Sequence, residues 1–96
     1  MKVGPPKQVD ITTKSTAGAI STVIFEKPVY EIVVRNKSTT DTLYVSFDMG
    51  ETWIDISPET DFSVDNFAEK GKPVVLLKSD GTSQPAAVVY RFKEGE

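Results

Sequence analysis

The chain has 96 residues, of which 39% are hydrophobic and 26% charged, and its 14 acidic and 11 basic residues give a net charge of −3. This length predicts a single domain, and the composition excludes a disordered or fibrous chain. The basic residues form no concentrated patch, so we expect no nucleic-acid partner.

The N-terminal residues predict an extended arm followed by one domain. Gly4, Pro5 and Pro6 favour an extended chain, which places the arm at residues 1–7 and a single β-sandwich domain at residues 8–96. The start of the chain has no long apolar run, so we expect neither a secretory signal nor contact with a membrane.

Short runs of β-branched and aromatic residues alternate with turn residues along the rest of the chain. This spacing predicts an all-β fold, an antiparallel two-sheet β-sandwich of the jelly-roll kind with about eight strands. Pro28 divides the second run from the third, and we expect the chain either to bend or to change sheet there, since proline lacks a backbone amide. The predicted strands are 7–13, 19–27, 29–36, 42–48, 51–57, 60–65, 73–79 and 86–93.

Residues 46–53, SFDMGETW, fit the pattern S-x-D-x-G-x-T-W. With Met49 and Gly50 at the centre of a turn, Val45 faces Ile54 and Leu43 faces Ile56, which predicts a half-buried hairpin. Gly50 tolerates positive φ, and Asp48 can accept hydrogen bonds from amides across the turn. The octapeptide resembles the Asp box of sialidases, and that resemblance implies a folding device, so we interpret Asp48 and Gly50 as structural.

The same register places Tyr44, Ser46, Trp53 and Asp55 together on the other face of the hairpin. Tyrosine and tryptophan on the outer face of a sheet can stack on a sugar or anchor a protein interface. The alternative is that loops or a neighbouring strand cover this face. We therefore take these four residues as a candidate interface or ligand face.

The residue types argue against an enzyme. The chain has no histidine and no cysteine, so it lacks the common general base and the thiolate nucleophile. The acidic residues lie in turns, where solvated carboxylates are expected, and they lack the calcium-loop spacing. We predict no catalytic residue, no cofactor and no metal site. Asn36-Lys37-Ser38 matches a glycosylation acceptor by chance.

Two apolar segments predict self-association. Residues 73–78, PVVLLK, are apolar on both faces, and residues 86–92 leave little polar surface. Apolar area of this extent is rarely left open, so we expect a homo-oligomer, a dimer or a trimer.

The segment 29–65 resembles small structural and accessory proteins of tailed bacteriophage virions. The elements that carry the resemblance are an Asn-Ser/Thr loop, an LYVSFD-x-G hairpin, a tryptophan and a proline turn. In the commoner form a glycine follows that proline, whereas this chain has Glu59. The matching positions are Asn36, Ser38, 43–48, Gly50, Trp53 and Pro58.

The resemblance implies a non-catalytic virion protein, of the capsid decoration or cement type, made in the bacterial host cytoplasm. Its partner would be the major capsid protein or another virion protein, bound through the sandwich and the arm. A tail or fibre component is a further possibility within the same class. The rival from another class is a carbohydrate-binding module in which Tyr44 and Trp53 stack on sugar rings.

Overall fold

The computed structural model describes residues 2–14, 19–65, 74–79 and 83–94. Met1 of the predicted arm and Pro73 of a predicted strand lie outside these residues. The described residues contain no helix, and hence none that could span a membrane. The strands are β1 (Lys2–Val3), β2 (Lys7–Thr12), β3 (Ser21–Ile24), β4 (Val29–Asn36), β5 (Leu43–Ser46), β6 (Ile54–Ile56), β7 (Asp61–Asp65), β8 (Val74–Lys78) and β9 (Pro85–Glu94).

The nine strands form two antiparallel sheets, which confirms the predicted sandwich. The first sheet has the order β2-β9-β4-β7, with β1 beside β2 on β9, and the second has the order β3-β8-β5-β6. Strands β2 to β9 correspond one to one to the eight predicted strands, with ends that differ by up to three residues, and β1 is an additional two-residue strand.

The pairing is nested around the β5–β6 hairpin. Outward from this hairpin, β4 pairs with β7, β3 with β8, and β2 with β9. This is one long hairpin rolled into two sheets, as in a jelly roll, and the octapeptide 46–53 lies at its tip. The tip therefore lies at the centre of the nested pairing.

The chain changes sheet at Pro28, which is one of the two outcomes that the sequence predicts. Strand β3 belongs to the second sheet and β4 to the first. Beyond Pro28, the register of β4 on β9 shifts between Val29 and Glu31, so that Tyr30 is an extra residue in a β-bulge. The proline and the bulge together bend the chain across the sandwich.

The inner faces of the sheets enclose the core. Alternate residues of the strands point inward; many are fully buried, whereas those of β2, β3 and β7 are partly buried. Full burial of a valine, leucine, isoleucine or phenylalanine side chain stabilises the fold by about 1.5–3 kcal/mol relative to exposure. The core cluster consists of Phe25, Val29, Ile32, Val34, Leu43, Val45, Ile56, Val75, Leu77, Ala86 and Val88.

Residues of the predicted arm lie along β9 of the same chain. Lys2 and Val3 pair with Glu94 and Lys93. The Gly4 amide donates to the Phe92 carbonyl at 2.9 Å, and the Arg91 Nε donates to the Gly4 carbonyl at 2.9 Å. The segment is extended, and its hydrogen bonds are made within the chain.

Candidate functional site

The tip of the β5–β6 hairpin is a two-residue turn with positive φ at both central positions. Met49 has φ 62° and Gly50 has φ 93°, and the Glu51 amide approaches the Asp48 carbonyl at 3.5 Å. A type I′ turn requires this backbone, and its twist matches that of antiparallel strands. The flanking pairs are Val45–Ile54 and Leu43–Ile56, which are the pairs that the sequence predicts.

Side chains of the octapeptide close the turn by hydrogen bonds. The Ser46 hydroxyl donates to Asp48 Oδ1 at 2.8 Å and accepts from the Gly50 amide at 2.8 Å. The same Asp48 oxygen accepts from the Thr52 amide at 2.9 Å. A carboxylate and a hydroxyl thus satisfy amides that the turn leaves without backbone partners, and both Asp48 and Gly50 take part in this network.

These hydrogen bonds set the electrostatics of the tip. The Thr52 amide, followed by the Ser46 hydroxyl, lowers the pKa of the Asp48 carboxyl below its ordinary value. Both donors favour the charged form, and they outweigh the opposing effect of desolvation. Asp48 is therefore an anionic acceptor at neutral pH, whereas a general acid requires a raised pKa.

The outer face of the second sheet carries a row of polar and aromatic side chains. Tyr44 on β5 lies between Asp55 on β6 and Lys78 on β8 in the ladder. The Lys78 Nζ lies 4.1 Å from the centroid of the Trp53 ring, within the range of a cation–π interaction. We call Tyr44, Trp53, Asp55 and Lys78 the outer patch. The structure thus brings together three of the four predicted face residues and adds Lys78.

Ser46, the fourth predicted face residue, does not belong to the outer patch. It is fully buried, and its hydroxyl is used within the turn. The register predicted from the sequence gives the correct face of the strand for Ser46. It does not predict that Ser46 is buried, because the tip folds over this part of the sheet.

The same fold of the tip covers Leu76. This residue is on the outward side of β8, opposite Thr22 and Ser46, yet it is only 7% exposed. A side chain at Gly50 would lie 3.6 Å from Trp53 and 3.8 Å from Leu76, so the tip packs on both. The outward Leu76 is therefore covered within the chain, and this residue gives no basis for the homo-oligomer prediction.

Sequence reasoning missed a buried polar cluster at the other end of β5. Asn36 is 2% exposed. Its amide donates to the carbonyls of Asp41 at 2.7 Å and Ile56 at 2.9 Å, and its oxygen accepts from the Ser38 amide at 3.0 Å and Gln84 Nε2 at 3.3 Å. All four hydrogen-bonding positions of the side chain are used.

The role of Asn36 follows from these bonds. The asparagine ties the loop before β5, the end of β6 and the start of β9 to the end of β4, and its amide is inaccessible to glycosylation. The sequence signal that could have revealed this role is the Asn36-Lys37-Ser38 tripeptide, because the Ser38 amide donates a hydrogen bond back to the Asn36 side chain.

Metal-binding chemistry finds no support in the described ranges. No group of three acidic residues there could hold a metal ion. Asp61 is 3.6 Å from Arg35 and Asp10 is 3.8 Å from Lys37, so these carboxylates belong to exposed ion pairs.

No protein-family model and no curated protein matches the sequence significantly. Two similar solved structures are a de novo designed double-stranded β-helix and the protein FlhE. The first has a TM-score of 0.58 and 11% identity, and the match covers 91% of this chain and 97% of the designed one. FlhE has a TM-score of 0.54 and 6% identity, with 98% and 100% covered. At these identities the likeness shows the fold alone.

Proposed function

We propose that this protein is a non-catalytic virion protein of a tailed bacteriophage, a capsid decoration or cement protein that binds the assembled shell through the outer patch. The observation that carries the proposal is the row formed by Trp53, Tyr44, Lys78 and Asp55 on a regular sheet. Tryptophan and tyrosine are the residue types that dominate protein interfaces. The virion assignment depends on the resemblance of residues 29–65, which span β4 to β7.

The occupied face of Trp53 favours a protein partner over a sugar. A sugar ring needs an open aromatic face, and the Lys78 ammonium already covers one face of the indole. The Gly50 backbone also lies close to the ring, since a Cβ there would be 3.6 Å from Trp53. Stacking on the covered face would require Lys78 to move, whereas a partner surface can contact the lysine and the ring edge together.

A cement function suits a small patch. Each copy contributes few contacts, and the symmetry of a shell repeats them many times, so the gain in particle stability comes from multiplicity. Binding to the assembled state, but not to the dissociated subunit, shifts the equilibrium toward the intact particle.

The test is co-sedimentation with empty shells assembled from the major capsid protein encoded in the same genome. We expect binding to be weakened by Trp53→Ala and by Asp55→Lys, which changes an exposed residue. The matched control is Thr39→Ala, an exposed position in the loop before β5.

Three outcomes contradict the proposal. Absence of binding to shells removes the cement function. Binding that both patch variants retain removes the outer patch as its surface. Binding of the wild-type protein to a glycan array, lost in Trp53→Ala, supports the carbohydrate-binding alternative.

A further inference from the structure

Strand β3 is an edge strand of the second sheet and differs from the other edge strands. The edge strands β2 and β7 carry charged residues, and the three-residue β6 has Asp55 at its centre. The sequence of β3 is STVI, without charge, proline or glycine. Charges on an edge strand oppose pairing with another chain, so β3 is the described edge that lacks this protection.

Two of the exposed large hydrophobic residues of the described chain lie at the two ends of the β3 segment. Ile20 is 39% exposed and Ile24 is 60% exposed, and the remaining such residue, Met49, lies at the hairpin tip. Thr22 and Ile24 are the exposed residues of β3, and Ile20, which directly precedes the strand, has the same parity and is also exposed. A row of exposed β-branched side chains along an unpaired edge is suited to β-sheet pairing.

We propose that two copies of this protein pair through β3, antiparallel about a two-fold axis at Thr22. Residues that oppose each other in an antiparallel pair must project from the same face of the sheet. For two identical strands this requires the two-fold axis to pass through a residue and not between two residues. An axis at Thr22 places Ile20 of each copy opposite Ile24 of the other. An axis at Val23 would place Ile20 opposite Glu26, an apolar residue against a carboxylate.

This arrangement joins the two second sheets into one continuous sheet of eight strands, four from each copy. Two-fold symmetry makes the contact isologous, so that it closes at a dimer and does not propagate into a fibre. The proposal is independent of the virion function, because it depends on the edge strand alone. It supplies a basis for self-association other than the apolar segments of β8 and β9.

The short edge predicts a weak dimer. The paired segment, residues 20–24, is much shorter than the roughly 20–30 residues a side of a standard interface, so we expect a dissociation constant on the order of 10–100 µM. Sedimentation equilibrium should give an average mass that rises with concentration toward twice the 10.5 kDa of the chain.

Thr22→Lys tests the interface without disturbing the core. Thr22 is exposed in the monomer, whereas the axis would bring the two introduced ammonium groups together. We expect the dissociation constant to rise at least tenfold. The control is Thr12→Lys, an exposed position on the edge strand β2, which should leave it unchanged. Circular dichroism should show folded protein for both variants.

Thr22→Cys tests the register, since the chain has no cysteine of its own. Directly opposed β-carbons lie about 4.5–5.5 Å apart, close enough for a disulfide after small adjustment. We expect rapid formation of a covalent dimer under mild oxidation, and slower formation for Thr12→Cys. A wild-type protein that stays monomeric up to about 1 mM, or equal cross-linking of the two variants, would overturn the proposal.

Discussion

Replacing Asn36 tests whether the buried polar cluster holds the sheets together. The substitution Asn36→Ala removes four hydrogen bonds, and the Ile56 carbonyl, the Ser38 amide and Gln84 Nε2 are in buried surroundings. A buried polar group without a partner costs about 1–3 kcal/mol. Three such groups at the low end give a loss of about 3 kcal/mol in the free energy of unfolding, out of roughly 5–14 kcal/mol for a chain of this length.

Urea unfolding followed by the fluorescence of the single tryptophan, Trp53, measures this loss. With a slope of about 1–1.5 kcal/mol per molar urea, the midpoint should fall by roughly 2–3 M. The control Thr39→Ala removes an exposed side chain from the same loop and should move the midpoint little.

The variant Asn36→Asp tests the same cluster through the direction in which its stability changes with pH. Its carboxylate would face the carbonyls of Asp41 and Ile56, and burial would raise its pKa in the folded state. The folded variant then binds more protons than the unfolded chain, so its deficit relative to wild type should grow as pH rises above about 4. A loss below 0.5 kcal/mol, on the order of a surface substitution, for Asn36→Ala would refute the reasoning.

Three further predictions concern the turns. Met49→Gly should raise the melting temperature by roughly 3–6 °C, because it relieves positive φ at an exposed side chain, and an unchanged or lower value would contradict this. Glu59→Gly should act similarly in calorimetry, since Glu59 has φ 60° after Pro58, and a decrease would show that its side chain matters more than its backbone. The pKa of the Asp48 carboxyl, measured by NMR, should lie below 3.8, so the stability that it contributes is present at neutral pH and is lost as the pH falls through that lower pKa. The difference in the free energy of unfolding between wild type and Asp48→Asn should therefore shrink in acid. A pKa above 3.8 would exclude the turn network.

Much of the fold could be predicted from local sequence. Alternation and turn residues locate the strands β2 to β9, and the pairs around Met49 and Gly50 follow from the requirement that apolar residues share a face. The change of sheet at Pro28 follows from its missing amide. Each of these depends on residues close together in the chain.

The parts that were missed depend on distant contacts. Leu76 is covered by the hairpin tip, whose Gly50 is 26 positions away in the sequence. The alternation of residues along β8 does not indicate that the tip covers Leu76. Asn36 is the last residue of a predicted strand, with a loop after it, but two of its partners, Ile56 and Gln84, are 20 and 48 positions away. The positive φ of Glu59 has no signal in its residue type, since glutamate seldom adopts this conformation.

The candidate site was predicted in part. The hairpin register places Tyr44 opposite Asp55, because both strands are contiguous with the turn. Lys78 comes from β8, and its place beside Tyr44 depends on a strand pairing that no local pattern specifies. The uncharged edge of β3 is visible in the sequence, but its position at the side of a sheet is not.

The nested pairing has a consequence for how the chain reaches its native state. Val45 and Ile54 are 9 positions apart, Val34 and Phe62 are 28, Val23 and Val75 are 52, and Val9 and Val88 are 79. Closing the innermost loop first shortens the effective separation for each later pair, so the entropy lost at each step is small. The octapeptide at the tip is then the natural nucleus, and its substitutions should slow folding, whereas those in β2 should chiefly speed unfolding.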